Sequence, residues 1–233
     1  AEARESEGVR AVLTAADIPG SKLLPLVVND YPLLADERVR FAGQAVALVA
    51  AESRDAAARA ASKVEVEYEP LEAVFDPLDA LEEGAPTIHS PDNALSRHHI
   101  TKGDPDETFA NCDIVVERTY STAHQVHLYL ETQGMVAEPD GRGGLLLRGS
   151  MQCPYYVLDA VSAATGLPRN LVQIIQAETG GGFGGKEDVP SIVAAHAALL
   201  CQATGRPVKL IYDREEDFHS MSKRHPGWAR LRW

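Results

Sequence analysis

The clearest hydrophobic pattern lies at residues 64–69, where Val64, Val66 and Tyr68 alternate with Glu65, Glu67 and Glu69. A period of two puts one side-chain row in a core and the other in water, so a strand is predicted. Upstream, Val9-Arg10-Ala11-Val12-Leu13 reads as a short strand, and residues 14–20 as a short helix or turn closed by Pro19-Gly20. After a loop around Asn29-Asp30-Tyr31-Pro32, a second strand region covers 39–50, interrupted by Gly43-Gln44 as a bulge. Ser53 is placed to cap a helix over 54–62, whose alanines suit close packing. Strand, helix and strand in succession predict an α/β module over residues 1–76.

Prolines, acids and small polar residues (Pro77, Pro86, Pro91, Asp92, Asn93) mark 77–96 as a linker between domains. A second domain is predicted over 97–233. It carries strands at 113–120, 126–138 and 143–149, the last two joined at Pro139-Asp140-Gly141-Arg142. Residues 153–165 read as a helix, with Tyr156, Ala160 and Ala164 on one face and Gly166 at its C-terminal end. A buried strand over 170–176, a helix over 189–204 rich in alanine and leucine, and a strand over 208–212 come next. Asp213 to Asp217 reads as a solvated helix start, and 229–233 as a strand still under way, so the chain is predicted to be a piece of a longer polypeptide. No internal repeat or low-complexity segment occurs in it.

A length of 233 residues suffices for a real core and two domains, and 45% hydrophobic with 24% charged residues is ordinary for a globular protein. The formal charge of −12 argues against nucleic acid or an anionic membrane as partner. Cys112, Cys153 and Cys201 stand far apart and form no CxxC motif. Their odd count fits a reducing compartment, hence the cytoplasm, with a single disulfide still open as an alternative. Neither a signal-peptide pattern nor an apolar run of spanning length is read in the sequence.

The candidate chemistry lies at Gly180-Gly181-Gly182-Phe183-Gly184-Gly185-Lys186-Glu187, with five glycines in six residues. A predicted strand precedes it and a predicted helix succeeds it. Backbone N–H groups converge at such a turn, the helix dipole favours negative charge, and missing Cβ atoms allow close approach. Gly180-x-Gly182-x-x-Gly185 satisfies the dinucleotide fingerprint, with Asp213 as the ribose-binding acid. Asp213 lies 28 residues past Gly185, however, against a usual interval of about twenty. A nucleoside-triphosphate loop fails, because Glu187 stands where a Ser or Thr hydroxyl should meet magnesium.

The same loop resembles the signature of the xanthine dehydrogenase and aldehyde oxidase family of molybdenum hydroxylases. Residues 33–44 (Leu-Leu-Ala-Asp-Glu-Arg-Val-Arg-Phe-Ala-Gly-Gln) and 64–71 (Val-Glu-Val-Glu-Tyr-Glu-Pro-Leu) resemble the hammerhead domain of that family. Residues 125–133 (Gln-Val-His-Leu-Tyr-Leu-Glu-Thr-Gln) resemble the start of its cofactor domain. Gly205-Arg206-Pro207-Val208-Lys209, Asp213-Arg214-Glu215-Glu216-Asp217 and Lys223-Arg224-His225-Pro226 resemble the family's segments on the C-terminal side of the loop. The resemblance covers nearly the whole chain. It implies an α+β fold, an α/β hammerhead domain followed by the first part of a molybdenum-cofactor-binding domain.

It further implies a molybdenum–molybdopterin cofactor, its cytosine dinucleotide form being one alternative, held through the pterin with no direct protein ligand to the metal. Gln152, in Ser150-Met151-Gln152, would hydrogen-bond an oxo ligand of the molybdenum. Gly182, Phe183 and Gly184, flanked by Gly181 and Gly185, would line its apical side and donate N–H bonds. Phe183 would also wall the substrate pocket, and Glu187 matches a position that contacts the heterocycle in purine-oxidising members. The family's glutamate base and much of its pterin-binding surface lie downstream of residue 233, and no iron–sulfur cysteine pattern occurs here. The chain alone is therefore expected to be inactive and to need the rest of the large subunit, an iron–sulfur subunit and a flavin subunit.

Taken singly, these residues carry plainer roles. Gln152 is then a polar residue at a strand end, Phe183 a loop anchor in the core, and Glu187 a first-turn helix acid. His124 and His127, three apart in a predicted strand, would point to opposite faces. Glu131 reads as a buried structural acid and Cys153 as a small packed thiol. The functional expectation is oxidation of a purine or other N-heterocycle, with an aldehyde or carbon monoxide as further substrates the sequence leaves open. The alternatives are a nicotinamide- or flavin-dependent dehydrogenase and a non-catalytic module that binds a partner through its acidic surface.

Overall fold

The computed structural model describes residues 1–26, 28–89 and 91–233; Val27 and Ser90, the latter within the predicted linker, lie outside the described residues. In chain order the elements are α1 (Glu2–Glu5), β1 (Val9–Leu13), β2 (Leu23–Leu24), β3 (Tyr31–Pro32), β4 (Leu48–Ala51) and α2 (Arg54–Ala61). They continue with α3 (Pro105–Ala110), β5 (Glu117–Thr122), β6 (Gly134–Pro139), β7 (Leu145–Gly149), α4 (Pro154–Thr165) and β8 (Val172–Gln176). The last are α5 (Val189–Thr204), β9 (Val208–Ile211), α6 (Arg214–Ser220) and β10 (Gly227–Arg232). Helices and strands mix as an α+β fold. Two compact units result: Ala1–Glu65 with Gln125–Arg224, and Val66–His124 with His225–Trp233.

The first unit is built around α5. Every residue from Val189 to Cys201 is buried, so this helix has no wet face over most of its length. Its Val193, Ala194, Ala197 and Ala198 join Val157 and Val161 of α4 in one cluster. Met135, Ala137, Leu145 and Leu147 of a four-stranded sheet complete that cluster. The sheet order is β8-β7-β6-β9, with β7 and β8 parallel and the other pairs antiparallel. Ile192, Ala195, Leu199 and Leu200 on the other side of α5 pack with Leu24, Leu33, Leu34, Leu48 and Ala50 in a second cluster. The alanines let backbones approach closely, and each buried leucine contributes about 2 kcal/mol.

Several predicted elements form as read. Ser53 accepts a hydrogen bond from Ala56 N and caps α2, and Gly166 closes α4 with φ 72°. Others are shorter. Residues 64–72 form no strand, and Val66 and Tyr68 are exposed. Alternation makes a segment competent for a strand, but a ladder needs a neighbour, and none among the described residues pairs with this one. The strand predicted over 39–50 shrinks to β4, because Gly43, with φ 90°, and Gln44 turn the chain, so the expected bulge is a loop. The strand predicted over 126–138 shrinks to β6, since Leu128 adopts φ 51° and breaks extended geometry.

The second unit contains α3, capped by Asp104, and the antiparallel pair β5–β10, tied by Arg230 Nε donating to Glu117 at 2.6 Å. The segment read as a linker is ordered by one side chain. Asn93 Oδ1 accepts from the N–H groups of Ile88 and His89, while its Nδ2 donates to the carbonyls of Ala80 and Pro86. No helix among the described residues is long and apolar enough to cross a membrane.

α5 also buries two polar residues, Ser191 and His196, and His196 Nε2 donates to the Leu33 carbonyl at 2.9 Å. Burial pushes its pKa from 6.5 down to about 4, against the smaller opposing effect of that hydrogen bond. A depressed folded-state pKa gives stability that is full above 6.5 and is lost as pH falls through 4. Urea denaturation should show unfolding free energy dropping by on the order of 3 kcal/mol from this group between pH 7 and 4. His196→Gln should flatten that part of the profile; an unchanged slope would exclude His196 as its source.

Candidate active site at the glycine loop

Two parallel neighbours in the sheet, β7 and β8, both run into loops that lead to helices. Crevices beyond the carboxyl ends of such strands are where α/β sheets place ligands. After β7, residues 150–153 turn into α4; after β8, residues 177–188 turn into α5. Gln176 Nε2 donates to the Met151 carbonyl at 2.7 Å and Ala177 N to that of Gly149 at 2.8 Å, so the two loops leave the sheet together.

Gln152 joins the loops. Its backbone N–H donates to the Lys186 carbonyl at 2.7 Å, and its Oε1 accepts from the N–H groups of Gly184 at 3.1 Å and Lys186 at 3.2 Å. Those two donors fix the amide's carbonyl end against the loop, while its NH2 group meets no acceptor among the described residues. A Cβ on Gly182 would sit 2.4 Å from Gln152 Oε1, and one on Gly185 would sit 2.6 Å from the Tyr129 ring and 2.9 Å from that of His127. Bare backbone is therefore a packing requirement at Gly185, and at Gly182 it is what leaves Gln152 Oε1 in its place. The N–H of Gly180 goes to Glu131 Oε2 and that of Gly185 to the Gly182 carbonyl. Among the described residues, the N–H groups of Gly181, Gly182 and Phe183 meet no acceptor. Gly184, expected among the outward donors, points its N–H at Gln152 instead.

Phe183 adopts φ 53° and is 76% exposed, so it is no core anchor. The site thus brings together Gln152, Gly181, Gly182, Phe183, Gly184 and Gly185. Glu187 is exposed just beyond, and no side-chain hydrogen bond caps α5 at Asp188. Burial first, then the charges of Glu187 and Asp188, push the Cys153 thiol up from its ordinary value. Among the described residues no group of three or more His, Cys, Asp or Glu could hold a metal ion.

Beneath the loop lies a network that single-residue reading missed. Lys186 is fully buried; its Nζ donates to Glu131 Oε2 at 2.7 Å and Ser150 Oγ at 2.9 Å and stands 4.8 Å from the centre of the Tyr129 ring. Partial burial raises the Glu131 pKa, but hydrogen bonds from Lys186, Ser150 and Gly180, with the lysine's charge, outweigh it and hold the carboxyl below its ordinary value. Glu131 is thus ion-paired as a structural acid, although its side chain is 45% exposed rather than buried. Gln133 Nε2 donates to Tyr129 OH at 2.7 Å and to the Gly185 carbonyl at 2.9 Å. Burial, then the charge of Asp217, drive the Tyr129 pKa well above its usual range, so its OH remains a donor to Asp217 at 3.1 Å.

Asp217, read as part of a solvated helix start, is fully buried, because it receives Tyr129 OH, the Gln133 N–H and Arg214 together. Arg214 also donates to the carbonyls of Tyr129 and Leu130. His127, expected on a strand, lies instead against Gly184 and Gly185, with its buried Nδ1 lacking a partner among the described residues. Asp213, the ribose acid of the dinucleotide reading, caps α6 by accepting from Glu216 N at 2.8 Å. With Asp213 so engaged, that reading loses its ribose-binding acid.

The sequence profile of the molybdopterin cofactor-binding domain matches residues 88–233, and that of the aldehyde oxidase and xanthine dehydrogenase a/b hammerhead domain matches residues 1–72. The nicotinate dehydrogenase large molybdopterin subunit of Eubacterium barkeri is 43% identical over 225 residues, covering 97% of this chain and 52% of that protein. A probable xanthine dehydrogenase subunit from Bacillus subtilis is 38% identical, with 97% and 30% covered. Among solved structures, the aldehyde oxidoreductase of Desulfovibrio desulfuricans superposes with a TM-score of 0.86 at 27% identity, over 100% of this chain and 27% of that one. A Cu,Mo-CO dehydrogenase gives 0.82 at 34% identity, over 97% and 31%. The chain therefore spans about half or less of the length of these relatives. It belongs to the xanthine dehydrogenase and aldehyde oxidase family, and carries both the hammerhead and the molybdopterin cofactor-binding sequence of that family.

Proposed function

We propose that this chain forms one wall of the active site of a molybdenum hydroxylase that oxidises a purine or other N-heterocycle. The observation that carries the reading is the unengaged NH2 group of Gln152 beside the unengaged N–H groups of Gly181, Gly182 and Phe183. A row of fixed donors at bare backbone suits an oxygen-bearing, electron-rich group. The residues present thus fit a molybdenum–molybdopterin group. When bound, that group supplies the two-electron oxidation and water-derived oxygen transfer.

In this arrangement Gln152 and the amides of Gly182 and Phe183 bind and orient the cofactor's acceptor atoms, with Gly181, Gly184 and Gly185 shaping the loop. The exposed ring of Phe183 flanks the substrate, and Glu187 accepts an N–H or orients a ring nitrogen of a heterocycle. Two relatives named for nicotinate and xanthine, both N-heterocycles, support that choice over an aldehyde. The base that activates the attacking oxygen, the rest of the pterin site and the iron–sulfur and flavin partners are assigned to other parts of the assembly. The cofactor's cytosine dinucleotide form and a cytoplasmic location belong to the same reading.

The complete, natively purified enzyme should contain stoichiometric molybdenum and pterin by elemental and fluorescence analysis; nicotinamide without molybdenum would refute the proposal. Gln152→Ala should lower kcat by about 100-fold or more, the effect of removing one preorganised donor. Glu187→Ala should weaken turnover of heterocycles more than of aldehydes in steady-state kinetics. If every heterocycle were turned over as before, Glu187 would not belong to the pocket.

A further inference from the structure

The proposed reading leaves Lys186 and Glu131 without a part in the chemistry, yet both bear directly on the geometry it requires. A single oxygen, Glu131 Oε2, accepts from Gly180 N at 2.8 Å and from Lys186 Nζ at 2.7 Å. Gly180 opens the glycine run and Lys186 stands directly after its end, so one carboxylate oxygen closes the loop on itself. The same ammonium donates to Ser150, two residues before Gln152. The backbone of Lys186 in turn exchanges bonds with Gln152, its carbonyl accepting from Gln152 N and its N–H donating to Gln152 Oε1.

Both the loop and the glutamine are therefore referred to one buried cation. The second glutamate oxygen is not needed for this, and 45% of the Glu131 side chain stays open to solvent. A pair meant only to fill the core would not join the two ends of a flexible loop to the residue that faces the cofactor. Glycine loses more conformational freedom on ordering than any other residue, so five of them need an external restraint to hold one shape.

Building on the assignment of this loop to the cofactor site, we propose that Lys186 and Glu131 are positioning residues that clamp the glycine loop and hold Gln152 with its NH2 group unengaged. Neither touches substrate or cofactor. Lys186→Met preserves bulk and leaves a partly solvated carboxylate, while Glu131→Gln keeps an acceptor for Gly180 without the charge. The test uses the complete assembled enzyme, with hydrogen exchange read by mass spectrometry over 180–187, the Mo(V) resonance, and kinetics per bound molybdenum.

Exchange in that peptide should rise at least about tenfold in Lys186→Met and less in Glu131→Gln. The Mo(V) signal should shift. Loss of alignment should lower kcat per molybdenum by about 100-fold, with KM moving by less than about threefold. A purely structural pair would lower thermal stability and yield but leave the resonance and kcat per molybdenum untouched. That outcome, or unchanged loop exchange in folded variants, would overturn the proposal. If the wild-type enzyme contained no molybdenum, the functional reading would fail, while the exchange measurement would still decide whether the clamp exists.

Discussion

Burying an ammonium group without a counter-charge is so unfavourable that the chain must either pair it or discharge it. Lys186 has no solvent exposure, and Glu131 meets the requirement from a segment 55 positions away. Much of the site geometry is a consequence of that pairing. Tyr129 and Gln133, which flank Glu131 in sequence, are drawn beneath the loop, and Arg214 and Asp217 come with them because they hold the backbone of that segment. Three stretches widely separated in sequence thus meet in one hydrogen-bonded body.

This convergence explains how much could be read from residues alone. Regular elements governed by local rules were legible: α5 from its apolar composition, α2 from Ser53, and the end of α4 from Gly166. The glycine loop was legible as a tight connection between a strand and a helix, because glycines in that density suit a turn. The features that could not be read depend on partners far away in the chain. The alternating segment 64–69 looked like a strand because the pattern is local, whereas a ladder is not. Asp217 looked solvated among its acidic neighbours, since nothing nearby in sequence shows Tyr129 and Arg214 waiting for it. Lys186 would have yielded to one question: what cation neutralises an acid, Glu131, placed in an apolar stretch?

The two-sided burial of α5 sets the mechanical context. Its N-terminus begins directly after the glycine loop, and its two apolar faces belong to two different clusters. A helix gripped on both sides cannot shift to suit a ligand. The loop is therefore mounted on a rigid post at one end and on β8 at the other, so its adaptability is confined to the residues between them.

Phe183 shows what that confinement permits. Its ring contributes nothing to the core, so its size and polarity are free to change without loss of fold. The constraint acts on the backbone, whose φ of 53° tolerates asparagine, aspartate or glycine and opposes β-branched side chains. Substitution at this position would therefore draw on an alphabet limited by handedness, with hydrophobicity unconstrained. A scaffold of this kind can vary its exposed side chain while the unengaged amides of the loop stay where they are.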